Sequence, residues 1–159
     1  MCIRDRAANR SPFAVGKTQA GFAVLGLVAM LAASRVPVTW WRRLAPVAVL
    51  AALVLELLVF VPGIGFGVLG NRNWIRVAGF TAQPSELGKV AVALWAAAVL
   101  ATKAKVLHRP RLWAVPVGIG SLPLIGVVLL GRDLGTVMVM LLVLAAALFT
   151  AGVLSLIHI

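Results

Sequence analysis

Five long apolar runs, separated by short polar loops, restrict the fold of this chain more than any other feature. A helix needs ~20 apolar residues to cross ~30 Å of hydrocarbon, where it satisfies its own backbone hydrogen bonds. Only 12% of the residues are charged, against roughly 25% in soluble domains. We therefore predict an all-α fold, a polytopic transmembrane helical bundle with about five spanning helices. The expected helices cover roughly residues 18–34, 44–61, 84–101, 112–131 and 134–154.

Both ends of the chain carry short segments that resemble translated adapter sequence. We expect residues 1–6 and 154–159 to be non-native ends, and the rest to be an internal fragment of a longer protein. Cys2 is the only cysteine, so an internal disulfide and a cysteine-based metal cluster are excluded. Gly65–Gly70 fits the dinucleotide pattern G-x-G-x-x-G, but it follows an apolar run and lies in no βαβ unit. We interpret that segment as a flexible loop.

The basic residues lie mostly in alternate loops, and cytoplasmic loops are the ones enriched in Lys and Arg. The first and third loops carry seven of them, namely Arg35, Arg42, Arg43, Lys103, Lys105, Arg109 and Arg111, and the second and fourth carry three, namely Arg72, Arg76 and Arg132. The segment before the first run, with Arg4, Arg6, Arg10 and Lys17, would lie on the outer side. With residues 1–6 set aside as non-native, the count is seven against five, which weakens the bias without reversing it. Residues 62–83 and 131–134 are therefore expected to be extracytoplasmic. We interpret the net charge of +11 as a consequence of membrane orientation and of contact with anionic lipid, rather than of nucleic-acid binding.

The fourth apolar run contains two prolines, Pro116 and Pro123, together with several glycines. Membrane helices tolerate such residues where neighbouring helices satisfy the backbone, so we expect close packing there. Trp113 opens this run, and we expect it at the inner membrane interface with Trp40 and Trp41, as in other aromatic belts.

A block of polar residues lies between the second and third apolar runs. It comprises Gly70-Asn-Arg-Asn-Trp-Ile75 and Gln83-Pro-Ser-Glu-Leu-Gly-Lys89. Pro84 suits the first turn of a helix, Glu86 is favoured by the free N–H groups there, and Lys89 follows three residues later on the same face. The block is either a capped helix with a local ion pair or a site for an anionic, lipid-borne group. We favour the second interpretation, because ionisable groups at membrane depth usually have a function.

Three other polar positions allow two or more interpretations. Arg72 and Arg76 would either bind phosphate or diphosphate through their guanidinium forks, or merely solvate an outer loop. Asp133 has a structural role available as the N-cap before Leu134, and we rank that role ahead of binding a cation or a sugar hydroxyl. Glu56 lies inside an apolar run, where it is protonated, paired, or directed to the outer interface.

The polar blocks, followed by Asp133-Leu-Gly-Thr136, resemble the signature of the SEDS family of shape, elongation, division and sporulation proteins, which includes FtsW, RodA and SpoVE. The likeness covers roughly residues 11–153 and is strongest to the division-type FtsW branch of high-GC Gram-positive bacteria. It departs from the family at Asn73, where many relatives have arginine directly before the tryptophan.

The resemblance implies a ten-helix SEDS fold in the bacterial cytoplasmic membrane, of which this chain matches the second to sixth helices. It also implies a peptidoglycan glycosyltransferase that polymerises lipid II, an undecaprenyl-diphosphate-linked sugar, in septal cell-wall synthesis and cell division. The alternatives are a lipid-linked precursor flippase or transporter, a RodA-type elongation polymerase, and a scaffold. The implied partners are a class B penicillin-binding protein and other divisome membrane proteins, with no nucleic acid.

The resemblance assigns no catalytic residue to this chain, because the family's catalytic aspartate lies in a later outer loop. The fragment alone is therefore expected to be inactive. No cofactor and no metal ligand is assigned, and a divalent cation at the departing diphosphate stays open. The residues expected to bind substrate or organise the site are Arg72, Trp74, Gln83, Ser85, Glu86, Lys89 and Asp133.

Overall fold

The structure, a computed structural model, describes residues 12–68, 70–77 and 80–153. The predicted non-native ends, 1–6 and 154–159, lie outside the described residues. The chain forms two compact units that divide between Val38 and Thr39, and each is described by itself.

The first unit contains one helix, α1 (Pro12–Ser34). The helix is apolar, and large side chains such as Phe22, Leu25 and Met30 are exposed along it. The hydroxyl of Ser34 donates a hydrogen bond to the Leu31 carbonyl oxygen at 2.8 Å as the helix ends. An apolar helix with this exposure suits a lipid environment rather than water.

The second unit contains four helices. They are α2 (Val38–Leu58), α3 (Pro84–Thr102), α4 (Pro110–Leu130) and α5 (Leu134–Thr150), with a short 3₁₀ helix (Ala104–Val106) before α4. Each α-helix contributes to one buried core, through residues such as Ala52, Val92, Leu124 and Met140. Small residues allow the close approach: a Cβ at Gly88 would lie 2.7 Å from the Met140 methyl carbon. The outward faces carry many exposed large apolar side chains, as expected of a bundle surrounded by lipid.

The helices confirm the prediction of a membrane protein, whereas the number of spans is not fixed. By length and composition, α3 and α4 can each cross a membrane. The consecutive segments Gln19–Ser34 and Val38–Leu58 qualify as a third span if they count as one, and α5 is a shorter apolar helix of 17 residues. Among the described residues there are thus two or three candidate spans, and the count of five stays a prediction.

A three-stranded antiparallel sheet between α2 and α3 corrects the expectation of a purely helical fold. Its strands are β1 (Gly65–Val68), β2 (Asn71–Val77) and β3 (Phe80–Ala82), with β2 in the middle. The interpretation of Gly65–Gly70 as a flexible loop is wrong, because Gly65, Phe66 and Gly67 pair with β2. A Cβ at Gly65 would overlap the Val59 carbonyl oxygen. Glycine therefore permits close backbone packing here.

Helix α4 stays continuous through both of its prolines. The indole N–H of Trp95 on α3 donates to the Pro116 carbonyl oxygen at 2.9 Å, and a Cβ at Gly120 would overlap the Trp95 indole. This contact agrees with the predicted close packing. Trp113 differs from its prediction as an interfacial residue: it is buried, and its indole N–H donates to the Leu107 carbonyl oxygen at 3.1 Å. The acceptor lies directly after the short 104–106 helix.

Candidate functional site

Asp133 is the centre of a hydrogen-bond network that joins three elements. It is the N-cap of α5, where its Oδ1 accepts the Thr136 backbone N–H at 3.1 Å. Its Oδ2 accepts the Thr136 hydroxyl at 2.8 Å, the Asn73 side-chain amide at 2.8 Å and the Gln83 side-chain amide at 3.1 Å. Asn73 lies on β2 and Gln83 is the N-cap of α3. One buried carboxylate therefore ties the sheet to the first turns of two helices.

The backbone of β2 also contacts the turn that precedes α5. The Arg72 N–H donates to the Gly131 carbonyl oxygen at 2.9 Å. A Cβ at Gly131 would lie 2.5 Å from the Arg72 carbonyl oxygen, so only glycine fits there. Arg132 takes a left-handed conformation with φ of 62°, which is uncommon for a residue other than glycine. The turn has a tightly specified shape that presents Asp133 to the sheet.

The environment of Asp133 keeps its carboxylate charged. Burial by itself would raise the pKa of Asp133, since it penalises the charged form. The hydrogen bonds from Asn73, Thr136 and Gln83 outweigh burial, and the pKa of Asp133 lies below its ordinary value. A charged hub of this kind binds its donors more strongly than a neutral acceptor would.

Glu86 and Lys89 form the ion pair that their spacing predicts. The Lys89 Nζ lies 2.8 Å from both Glu86 carboxylate oxygens. Glu86 is 63% exposed and Lys89 is 26% exposed, so the pair contributes about 0–1 kcal/mol to stability. The pair leaves the ammonium group accessible at the start of α3 while restricting where it can move.

The sheet carries aromatic side chains and two arginines, and the two arginines differ in their contacts. Trp74 on β2 stacks on Phe66 of β1, with ring centroids 6.4 Å apart. The Arg76 guanidinium lies 4.7 Å from the Phe66 ring centroid, in a cation–π contact. The exposed side chain of Arg72 makes no salt bridge within the described part of the chain. Arg72 is thus the better placed of the two arginines to meet an external anion.

Besides Asn73, whose Oδ1 is unpaired although its amide N–H binds Asp133, two polar side chains at this end of the bundle have a buried oxygen without a hydrogen-bond partner in the residues that the structure covers. They are Ser85, through its Oγ, and Glu56, through its Oε1. Glu56 is only 3% exposed, so the idea that its carboxylate reaches the outer interface is wrong. Burying such groups unpaired costs stability, which makes both positions candidates for a role in the site.

The structure brings together some of the predicted residues and adds two others. Gln83 meets Asp133 directly, Glu86 meets Lys89, and Arg72 joins the Asp133 turn through its backbone. Trp74 packs within the sheet, and Ser85 is buried with a hydroxyl group that makes no hydrogen bond to the described residues. The sequence prediction missed Asn73 and Thr136 as partners of Asp133.

The spacing of Asp133 and Thr136, three residues apart, was the available signal for the Thr136 contact, because an N-cap side chain bonds that position. No comparable signal existed for Asn73, which is distant in the chain. Within residues 12–68, 70–77 and 80–153, no group of three or more His, Cys, Asp or Glu side chains is placed to hold a metal ion.

Comparison with known proteins identifies the family. The FtsW/RodA/SpoVE family model, described as a cell cycle protein, matches residues 1–159. The chain belongs to the FtsW/RodA/SpoVE family. The predicted resemblance is therefore confirmed.

Curated members of the FtsW/RodA/SpoVE family match at moderate identity. A Geobacter metallireducens protein is 38% identical over 136 residues, which are 86% of this chain and 36% of the relative. A Mycobacterium tuberculosis protein is 31% identical over 150 residues, 94% of this chain and 29% of the relative. A Pseudomonas fluorescens protein is 34% identical over 132 residues, 83% of this chain and 32% of the relative. All three are named "Probable peptidoglycan glycosyltransferase FtsW". The chain spans about a third of the length of these relatives.

Proposed function

We propose that this chain is part of a peptidoglycan glycosyltransferase of the FtsW type. The complete protein would polymerise lipid II during septal cell-wall synthesis and cell division. Membership of the family and the names of the three relatives support this activity. A flippase and a RodA-type elongation polymerase find no support in those names.

The proposed topology is a multi-pass protein of the bacterial cytoplasmic membrane. The five helices would be five spans of a ten-helix SEDS fold, with residues 62–83 and 131–134 outside the cell. The distribution of Lys and Arg among the loops supports this orientation. The β-sheet and the Asp133 turn then lie together on the face where the lipid-linked sugar is polymerised.

The observation that carries the proposal is the Asp133 network. It fixes the sheet on the first turns of α3 and α5 and so holds two cations, Arg72 and Lys89, on one end of the bundle. Guanidinium and ammonium groups bind the oxygens of a diphosphate. Lipid II presents a diphosphate at the membrane surface, which matches cations held on preorganised elements.

Each predicted site residue has a proposed part. Arg72 and Lys89 bind the diphosphate, and Glu86 holds Lys89 in position. Gln83 and Asp133 organise the site together with Asn73. Trp74 offers an aromatic face beside the sugar, and Ser85 supports the first turn of α3 from the buried side.

Glycosyl transfer also needs a general base and stabilisation of the departing diphosphate. The residues of this chain would bind the diphosphate and stabilise its charge. The general base would come from another part of the complete protein, and a divalent cation could also take part. The chain alone would then be inactive.

The complete protein, purified with its class B penicillin-binding protein and supplied with labelled lipid II, tests the proposal. Glycan chains that still form in the presence of a penicillin-type inhibitor are the expected result. Movement of lipid II across vesicles without polymer would instead make the protein a transporter. Neither polymer nor transport, with the partner still bound, would make it a scaffold.

Glu86→Ala tests the role of the ion pair. We expect polymerisation to fall by about tenfold or more, equivalent to about 1.4 kcal/mol of transition-state stabilisation, while membrane insertion and thermal stability persist because the pair is exposed. Lys105→Ala, which removes an exposed charge from the third loop, is the matched control and should leave polymerisation unchanged. Full activity of Glu86→Ala would show that Glu86 has only a structural role at the start of α3.

A further inference from the structure

A groove at the opposite end of the bundle carries two cations that form no salt bridge with the described residues. It lies between α2, α3 and α4, encloses about 270 Å³, and has Arg42 and Lys103 on its lining. Arg42 lies near the start of α2 and Lys103 is the C-cap of α3. Both therefore lie on the side that the charge bias assigns to the cytoplasm. The groove is therefore separate from the Asp133 network.

The carboxylates of the described residues are too far along their helices to neutralise this pair. Glu56 is fourteen residues after Arg42 on α2, which is about 21 Å at 1.5 Å per residue. Glu86 is seventeen residues before Lys103, about 25 Å by the same rise. Asp133 lies at the start of α5, beside the sheet. No carboxylate of the described part of the chain therefore pairs with Arg42 or Lys103, and both cations are free to meet an external anion.

Apart from Thr102, the rest of the groove is apolar and follows α3. Its lining extends from Lys103 back to Trp95, a length of about 12 Å along the helix. Small side chains such as Ala98 line it, and the Trp95 indole is held by its bond to the Pro116 carbonyl oxygen. A groove with two cations at one end and apolar side chains along the rest matches an amphipathic anion.

A backbone acceptor adds to the polar end of the groove. Pro46 also lines it and has no N–H, so the Arg42 carbonyl oxygen, four residues earlier, lacks its helical donor. A hydroxyl group on a bound headgroup can donate to that oxygen. Exposed Trp40 lies nearby in sequence at the expected level of the lipid headgroups.

We propose that this groove binds an acidic phospholipid of the cytoplasmic leaflet. Arg42 and Lys103 would hold the headgroup phosphate, and an acyl chain would lie along α3 beside Trp95. Charge complementarity selects this occupant, since the cytoplasmic leaflet is rich in anionic lipid and each basic residue near it contributes attraction.

Native mass spectrometry of the complete protein, titrated separately with phosphatidylglycerol and phosphatidylcholine, tests the proposal. We expect wild-type protein to prefer phosphatidylglycerol, and Arg42→Gln with Lys103→Gln to weaken that preference by at least about tenfold. The matched control is Arg43→Gln with Lys105→Gln, which removes the same charges from exposed neighbours outside the groove. Equal losses in the two double variants would indicate general charge attraction and overturn the proposal.

A second variant separates shape from charge. Ala98→Phe fills the groove but keeps both cations, and it should weaken phosphatidylglycerol binding while glycosyltransferase activity and thermal stability persist. Competition by soluble glycerol phosphate as strong as that by the lipid would overturn the role of the acyl chain. Absence of a headgroup preference in the wild-type protein would overturn the proposal. Protection of Ala98→Cys from a lipid-soluble maleimide would then show that another segment of the protein fills the groove.

Discussion

Two carboxylates on neighbouring helix ends have opposite surroundings and so should differ in their effects. Asp133 is 7% exposed and accepts four hydrogen bonds. Glu86 is 63% exposed and contacts one lysine. Removal of a buried acceptor leaves its donors without partners, whereas an exposed carboxylate is replaced by water. Asp133 is thus expected to matter for the folded state and Glu86 for the substrate.

Asp133→Ala should destabilise the protein by about 2–4 kcal/mol, because it removes an N-cap and leaves the amides of Asn73 and Gln83 without their acceptor. Glu86→Ala, the control, should cost no more than about 1 kcal/mol. Thermal unfolding in detergent, followed by tryptophan fluorescence, measures both. Similar losses for the two variants would contradict the central role of Asp133.

The lowered pKa of Asp133 predicts a pH dependence. A carboxylate with a depressed pKa in the folded state adds stability that is present above its unfolded pKa of about 3.9 and is lost as the pH falls through the folded value. Thermal unfolding between pH 5 and pH 3, at constant ionic strength, should therefore show a stability loss that is smaller in Asp133→Asn. Parallel plots of stability against pH for the two proteins would show that the Asp133 carboxylate has the same pKa in the folded and unfolded states.

At the scale of the elements, the contact between α3 and α4 depends on one glycine. Gly120 leaves room for the Trp95 indole, which donates to the Pro116 carbonyl oxygen. The acceptor is one turn before Gly120 on the same helix face. This cross-helix bond from a half-buried indole is specific, because Trp has a single donor and loss of the acceptor would leave that N–H unpaired.

Gly120→Ala should destabilise the bundle by about 1–3 kcal/mol, since the added methyl group must displace the indole. The control is Gly126→Ala on the same helix, where a Cβ meets nothing within 4 Å. That substitution should be neutral or should stabilise the helix by up to about 1 kcal/mol. Thermal unfolding distinguishes the two variants, and equal midpoints would argue against the Trp95 contact.

At the scale of the whole molecule, the two polar ends of the second unit differ in charge and chemistry. One end has the sheet, Asp133, and the Glu86–Lys89 pair. The other end has Arg42 near the start of α2 and Lys103 at the end of α3. The polymerase proposal needs the first end outside the cell, and the lipid proposal needs the second end in the anionic leaflet. Orientation therefore links both.

Single cysteines at Arg72 and Lys105, both exposed, test the orientation in a Cys2→Ser background. We expect an impermeant maleimide to label Arg72→Cys on intact spheroplasts and to label Lys105→Cys only after permeabilisation, as the positive-inside rule requires. The reverse pattern would place the Asp133 network in the cytoplasm, where the proposed polymerisation could not occur.

Local patterns in the sequence predicted the helices and part of the site. Pro84 and Glu86 mark the start of α3, and the Glu86–Lys89 pair follows from a spacing of three residues. Asp133 was predicted as the N-cap of α5, and it is. These features succeed because each depends on residues within one helical turn. The sheet was missed, since its glycine-rich β1 has little strand propensity and forms through its pairing with β2.

The apolar, helical character of the chain and its family can be read from neighbouring residues, because run length, helix ends and motif order are local properties. The meeting of distant polar groups depends instead on the packing of the folded chain. Asn73 and Gln83 reach Asp133 across sixty and fifty residues, and Gly120 admits Trp95 from another helix. Such contacts depend on how the backbones pack, and no local spacing encodes that.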